Sequence, residues 1–320
     1  MTKPSKWFLL RNPEVYQGWN KSNNYFEGWY LKIVDPEQNL AFALIPGISK
    51  SADPHAFVQF IDGVQCKAEY YRFDRKEFSA QPDKFEVKIK DHLFSEDRIV
   101  FRNQDLDIQL EQSPFAKLKT SLLRPGIMGW YAYMPFMQCY HGLVSMNHSV
   151  TGNIRIRDKS YSLNSAKAYI EKDWGVSFPK AWIWNQCNSF EYNQDLSVFA
   201  SVAHIPWLGH YFIGFIAAIH YKGKIQVFAT YNYSKRETKV VGNHVTMTFT
   251  KGNKCLQIES IKEEGADLKS PLNGEMLSKV NESLLATMKV RYSEGGNMLI
   301  NETGNYAGME LAGPVDILLE

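Results

Sequence analysis

A period of two runs through almost the whole chain. Phe85-Glu86-Val87-Lys88-Ile89-Lys90 alternates apolar and polar residues, and residues 106–111, 154–157, 245–250 and 288–292 do the same. Such alternation gives a strand one buried and one wet face, the pattern of antiparallel sandwiches and barrels. Turn signals punctuate the runs at Asp35-Pro36, Asp62-Gly63, Lys222-Gly223 and Lys251-Gly252-Asn253. Only residues 276–285, after Gly274, offer a weak helical period. The sequence predicts an all-β protein.

The chain also repeats itself. Ala43-Leu44-Ile45-Pro46 is matched by Ala203-His204-Ile205-Pro206. After each comes a histidine followed by Phe, Val or Ile, and Phe-Ile: His55, Phe57, Val58, Phe60 and Ile61, then His210, Phe212, Ile213, Phe215 and Ile216. Upstream, Gly28-Trp29-Tyr30 corresponds to Ala181-Trp182-Ile183. Three short blocks in one order indicate two copies of one β unit, beginning near Asn24 and Pro179. The 320 residues suffice for two domains of ~150 residues. The expected domains are 1–178 and 179–320. Residues 113–152 have no counterpart in the second copy and are expected to hold a crossing connection and extra strands.

Lys plus Arg number 36 against 34 for Asp plus Glu. That balance, with scattered basic residues, argues against a nucleic-acid footprint or a basic membrane patch. Aromatic content of 14% favours strands or an aromatic-lined cavity. Cys66, Cys139, Cys187 and Cys255 are far apart, so neither a disulfide nor a cysteine metal motif is expected. The apolar run at Trp7–Leu10 is too short for a signal peptide. Residues 211–219 fall short of the ~20 that a membrane span needs. A soluble, unanchored, cytoplasmic protein without a transmembrane segment is expected.

Chemistry concentrates in residues 169–186, where Glu171, Lys172 and Asp173 sit among Tyr169, Trp174, Phe178, Trp182 and Trp184. On a strand, Tyr169, Glu171 and Asp173 share one face and Lys172 points the other way. Two same-face carboxylates in a dry site cannot both ionise cheaply, so one tends to keep its proton and can act as a general acid. The alternative is a carboxylate paired with a basic group, or capping backbone amides, where two sheets meet; both readings are open on the residues alone. His141 and His148 are oddly spaced, hence on opposite strand faces, which argues against a shared metal site. His55 and His210 occupy equivalent places in the repeat, which points to a structural role. No Gly-x-Ser-x-Gly elbow and no Gly-rich strand-to-helix loop is present, so serine hydrolase and nucleotide-binding readings lack support.

Three blocks together resemble the tocopherol cyclase family: residues 25–30 (YFEGWY), residues 138–148 (QCYHGLVSMNH) and residues 169–179 (YIEKDWGVSFP). The wider group includes carotenoid hydratases and decalin-forming fungal cyclases. The resemblance implies two lipocalin-like antiparallel β-barrel or sandwich domains, in agreement with the repeat. It also implies acid-catalysed ring closure, in which the phenol oxygen of a prenylated hydroquinone adds across a trisubstituted alkene. Such chemistry needs a buried neutral acid, aromatic faces around a tertiary cation, a held phenol and exclusion of water, with no metal and no cofactor. The resemblance places Asp173 as general acid, Glu171 as its neighbour or as the base, and Glu27 as a further candidate acid. Trp29, Tyr30, Trp174, Trp182 and Trp184 would line the cavity, and His141 and Asn147 would orient the ring hydroxyl. The chain starts close to the first motif, unlike plant enzymes with targeting extensions. A non-catalytic carrier of an apolar small molecule would need the same cavity without a protonated acid.

Overall fold

The computed structural model describes residues 3–319; the expected domain limits at positions 1 and 320 lie outside the described residues. Two antiparallel sheets dominate. The first contains β1 (Tyr25–Asp35), β2 (Leu40–Lys50), β3 (His55–Asp62), β4 (Lys67–Asp74), β5 (Phe78–Ala80) and β6 (Glu86–Ile89). It continues with β7 (His92–Ser95), β8 (Arg98–Arg102), β9 (Leu106–Gln112), β10 (Cys139–Ile156) and β11 (Lys159–Gly175). The second contains β12 (Trp182–Cys187), β13 (Ser197–Trp207), β14 (His210–Tyr221), β15 (Lys224–Ala229) and β16 (Lys235–Val241). Its remaining strands are β17 (His244–Lys251), β18 (Lys254–Ile261), β19 (Ala266–Leu272), β20 (Glu275–Glu294) and β21 (Asn297–Ala312).

The sheet order repeats. The first runs β4-β3-β2-β1-β11-β10-β9-β8-β7-β6-β5, and the second β15-β14-β13-β12-β21-β20-β18-β17-β16, with β19 on β20. In each, four consecutive strands are joined through their first member to the last strand of the half. The repeated sequence blocks fall on corresponding strands: Trp29 and Trp182 on β1 and β12, the Ile-Pro blocks on β2 and β13, the histidine blocks on β3 and β14. Their cross-strand register differs by two residues, because Val58 faces Pro46 whereas its counterpart Ile213 faces His204, the counterpart of Leu44. A shift of two keeps every side chain on its original face. The equivalence of His55 and His210 does not extend to their surroundings. His55 is buried between the Asp53 carbonyl and the Tyr70 hydroxyl, whereas His210 is exposed at a hairpin tip.

Three cores result. Leu31, Ile33, Phe42, Leu44, Val58 and Phe60 pack inside the first sheet, and Ile183, Val198, Ala200, Val202 and Met247 inside the second. A third core lies between the sheets and takes Tyr30, Val34, Ala41, Ala43, Trp184 and Phe199. Central strands β1, β2 and β12 are therefore buried on both faces. This explains why residues 40–45 read as a near-continuous apolar run instead of alternating. Residues 276–285 form part of strand β20, not a helix, since Met276, Val280 and Leu284 turn into buried space at the sheet junction. Residues 113–138 are the expected long connection, carrying only a short 3₁₀ turn at Gly129–Tyr133 before β10 begins.

Candidate functional site

A cavity of about 1370 Å³, counted out to its open mouth, lies where the sheets meet. Its floor is built by β1, β10, β11, β12, β20 and β21. Alternation decides what reaches it. On β11, Glu171 and Asp173 point into the cavity while Lys172 and Trp174 point away. Trp182 and Trp184 on β12 both line it, as does Tyr30 on β1. Gly308 is required behind Trp184, because a Cβ there would stand 2.6 Å from the indole.

The expected site residues divide into two groups. Asp173, Glu171, Tyr30, His141, Trp182 and Trp184 come together at the cavity. Glu27, Trp29, Trp174 and Asn147 do not. Glu27 is fully buried on the opposite face of β1, where it forms an ion pair with Lys172 and accepts from the Gln17 and Gly18 amides and the Tyr25 hydroxyl. Its carboxylate is fully engaged in structure, which removes it as an acid facing the cavity. Trp29 is fully buried, stacks on Phe85 and donates to the Glu14 carbonyl. The Lys172 ammonium sits 4.7 Å from the Trp29 ring and 4.8 Å from that of Trp174, so these two indoles hold a lysine, not a substrate cation. Asn147 is committed to the Gln194 carbonyl and the Asn188 amide.

Inside the cavity an imidazole joins the two expected carboxylates. His141 Nδ1 lies 2.9 Å from Asp173 Oδ1, and Nε2 lies 3.7 Å from Glu171 Oε2. Asp173 thus has a basic partner, which the dyad expected from sequence lacked. Burial opposes charge on His141, but Asp173 and Glu171 outweigh it and hold its pKa up at about 9. The buried Nε2 makes no hydrogen bond to protein and is available to a ligand. Burial pushes the Glu171 carboxyl up to about 7, with Asp173 adding to the rise. The imidazolium and donors from Tyr169 (2.5 Å) and Trp184 (3.1 Å) oppose it.

Two further carboxyls complete the cluster, and sequence reasoning missed both. Glu282 on β20 and Glu310 on β21 are directly opposed across the strand pair and both line the cavity. Tyr30 donates to Glu282, and Trp182 donates to Glu310. Neither glutamate has a lysine, arginine or histidine within salt-bridge distance among the described residues. Burial, then the adjacent Glu310, pushes Glu282 far above the usual carboxylate range. Burial also pushes Glu310 up to about 8, against the donor from Trp182 and with help from Glu171 and Asp173. A signal was present for Glu282: it shares its strand phase with Val280 and Leu284, so an acid occupies a core position. Glu310 shares its phase with Gly308 and Ala312, which mark no core face.

Donor atoms of His141, Glu171 and Asp173 lie within 4.8 Å of one another, a spacing that could hold a cation. Histidine and cysteine spacing could not reveal this group, because one histidine and two acids on adjacent strands supply it. All four cysteines are free. No helix among the described residues is long and apolar enough to cross a membrane.

The repeated antiparallel sheets enclosing an acid-lined cavity define a lipocalin-like, cavity-bearing β protein. The sequence profile of the family described as tocopherol cyclase-like matches residues 102–313, and the chain belongs to that family. A probable tocopherol cyclase of rice chloroplasts (Oryza sativa subsp. japonica) is 24% identical over 196 residues, covering 58% of this chain and 42% of the rice protein. The chloroplastic tocopherol cyclase of maize (Zea mays) is 23% identical over the same length, covering 58% of this chain and 41% of its own. The chain thus spans about two-fifths of the length of these relatives. Among solved structures, CghA matches with a TM-score of 0.56 at 9% identity, covering 90% of this chain and 88% of CghA. A protein assigned as an AttH from Nitrosomonas europaea matches with a TM-score of 0.54 at 14% identity, covering 90% and 92%. These likenesses establish the fold.

Proposed function

We propose that the protein catalyses acid-promoted ring closure, or a related protonation, on a prenylated quinol or another apolar isoprenoid. The observation that carries this reading is a set of buried carboxyls without lysine or arginine partners, facing a largely apolar, aromatic cavity. An alkene is a weak base, so the proton must come from an acid that stays neutral until it reacts. Glu171 fits best, since its pKa of about 7 keeps it protonated yet acidic near neutrality. The acid role assigned to Asp173 from sequence moves to Glu171, because His141 pairs with Asp173.

The His141–Asp173 pair then serves the phenol. In the imidazole form, the unpartnered Nε2 of His141 accepts the phenol proton as the new C–O bond forms, and the Asp173 carboxylate at Nδ1 stabilises the resulting imidazolium. Glu171, having given its proton to the alkene carbon, is left as carboxylate and is reset by the proton held on the pair. Glu282 and Glu310 remain neutral and keep the wall near Trp182 and Trp184 free of net charge. Those two indoles present π faces to the tertiary cation. We place the domain boundary at residues 178–179, so the site draws on both domains.

The test is incubation of purified protein with a geranylgeranylated hydroquinone, with the chromanol read by mass spectrometry. Glu171→Gln should lower turnover by about 10²–10⁴-fold while ligand binding persists. Should the wild-type protein bind prenyl quinols and convert none of them, the cyclase reading falls and the carrier reading replaces it.

A further inference from the structure

The mouth of the cavity carries an unusual concentration of exposed apolar side chains. The connection 113–138 and the tip of the β13–β14 hairpin meet there. Tyr131 and Phe212 stack at 5.5 Å and line the cavity itself. Trp207 stands edge-on to Tyr131 at 5.6 Å, to Phe136 at 5.0 Å and to Trp130 at 6.2 Å. Trp7, on the short helix α1 (Lys6–Arg11), packs on Tyr133 at 6.2 Å, and Tyr133 donates to the Leu122 carbonyl. Beyond this layer Trp7, Leu122, Leu123 and Leu208 are 64%, 68%, 87% and 71% exposed. A monomeric surface rarely gathers so many large apolar groups without a partner.

The segments that build this rim carry charge of one sign. Residues 3–11, 114–140 and 203–213 contain no Asp or Glu. They contribute Lys3, Lys6, Arg11, Lys119 and Arg124, none within salt-bridge distance of a carboxylate among the described residues. Lys117 is set aside because it pairs with Glu14 and Glu96. The near-zero net charge of the whole chain hides this patch, since its basic residues come from separate segments and are balanced by acids elsewhere. Net charge, on which the expectation against a basic membrane patch rested, does not address this local distribution.

We propose that this rim docks on the surface of a lipid bilayer bearing anionic headgroups. Tryptophan and tyrosine suit the headgroup level, leucines insert below it, and lysine and arginine meet the lipid phosphates. A second copy of the chain is a poor occupant, because a two-fold contact would set these basic groups against one another with no acid between them. The rim is continuous with the cavity through Tyr131 and Phe212, so an apolar ligand can pass from bilayer to cavity without crossing water. In that respect the inference rests on the apolar-ligand reading above.

Flotation of the whole protein with vesicles of phosphatidylcholine, alone or mixed with phosphatidylglycerol, tests it. The protein should float with the mixed vesicles and be released as salt rises. Replacing Lys119 and Arg124 by Gln should weaken binding to mixed vesicles by about fivefold per charge. The triple variant Leu122→Ser, Leu123→Ser, Leu208→Ser should lose at least about tenfold, while its circular dichroism stays unchanged. Absence of flotation with either vesicle, equal binding to both, or full binding by the leucine variant would overturn the proposal. So would concentration-dependent dimerisation that the leucine variant abolishes. Conversion of substrate dispersed in detergent reads the chemistry separately: it should survive in the leucine variant, and its absence from the wild type would leave the docking result standing.

Discussion

Glu27 and Glu282 are both buried carboxyls on central strands, each accepting from a tyrosine, yet their surroundings oppose one another. Glu27 has an ammonium, two backbone amides and a hydroxyl around it. Glu282 has one hydroxyl and a second carboxyl across the strand pair. The first arrangement satisfies a charge and fixes the N-terminal segment to the barrel wall. The second disfavours a charge and leaves a proton in an apolar cavity. Burial alone does not make an acid; the partner decides whether burial stabilises the carboxylate or the carboxylic acid.

The sharpest way to break this contrast is Glu27→Gln. It strands the Lys172 ammonium in a dry site and should destabilise the protein by about 3–5 kcal/mol in urea unfolding. A loss below about 1 kcal/mol would mean that the ion pair is replaceable, and the contrast would collapse. The next test is pH. Glu171 has its folded pKa raised from 4.5 to about 7, so the native state binds the extra proton between those values. Its contribution is present below pH 4.5 and is lost as pH rises through about 7. Glu171→Gln should flatten that part of the stability profile, and an unchanged slope would show that the carboxyl is not held neutral. The smallest expected effect is Glu282→Gln, which keeps the shape of an already neutral group. Stability should move by less than about 1 kcal/mol, in either direction. A loss as large as that of Glu27→Gln would reveal a hidden ion pair at Glu282.

Much of the architecture was legible because strand alternation is local. The runs at 106–111, 245–250 and 288–292 lie in strands, residues 154–156 end β10 before Arg157 enters the turn, and the repeated blocks landed on corresponding strands. Residues 276–285 misled because three apolar residues at spacings of four satisfy a strand that buries alternate positions as well as a helix. The cavity group on β11 and β12 was legible because residues 169–186 combine acids with indoles in one short run. The face split at Glu171 and Lys172 followed from period two. What sequence could not show was which face each of the other aromatics and acids met. Glu27 and Trp29 sit in a motif beside Tyr30, yet only Tyr30 has the phase that reaches the cavity. Glu282 and Glu310 lie far down the chain without an aromatic motif to draw attention, and only the β20–β21 pairing brings them together.

The cluster of carboxyls and imidazole is assembled from strands of both sheets: β10 and β11 from the first, β20 and β21 from the second. Neither sheet contains a complete set. The seam between the sheets is therefore a point of vulnerability distinct from the stability of either half. A lesion that parted the halves by a few ångströms could leave the two cores inside the sheets intact and every strand paired, and still separate Glu171 from the indoles of Trp182 and Trp184, on whose proximity the proposed chemistry depends. Loss of function in such a chain would be silent to any measurement of secondary structure.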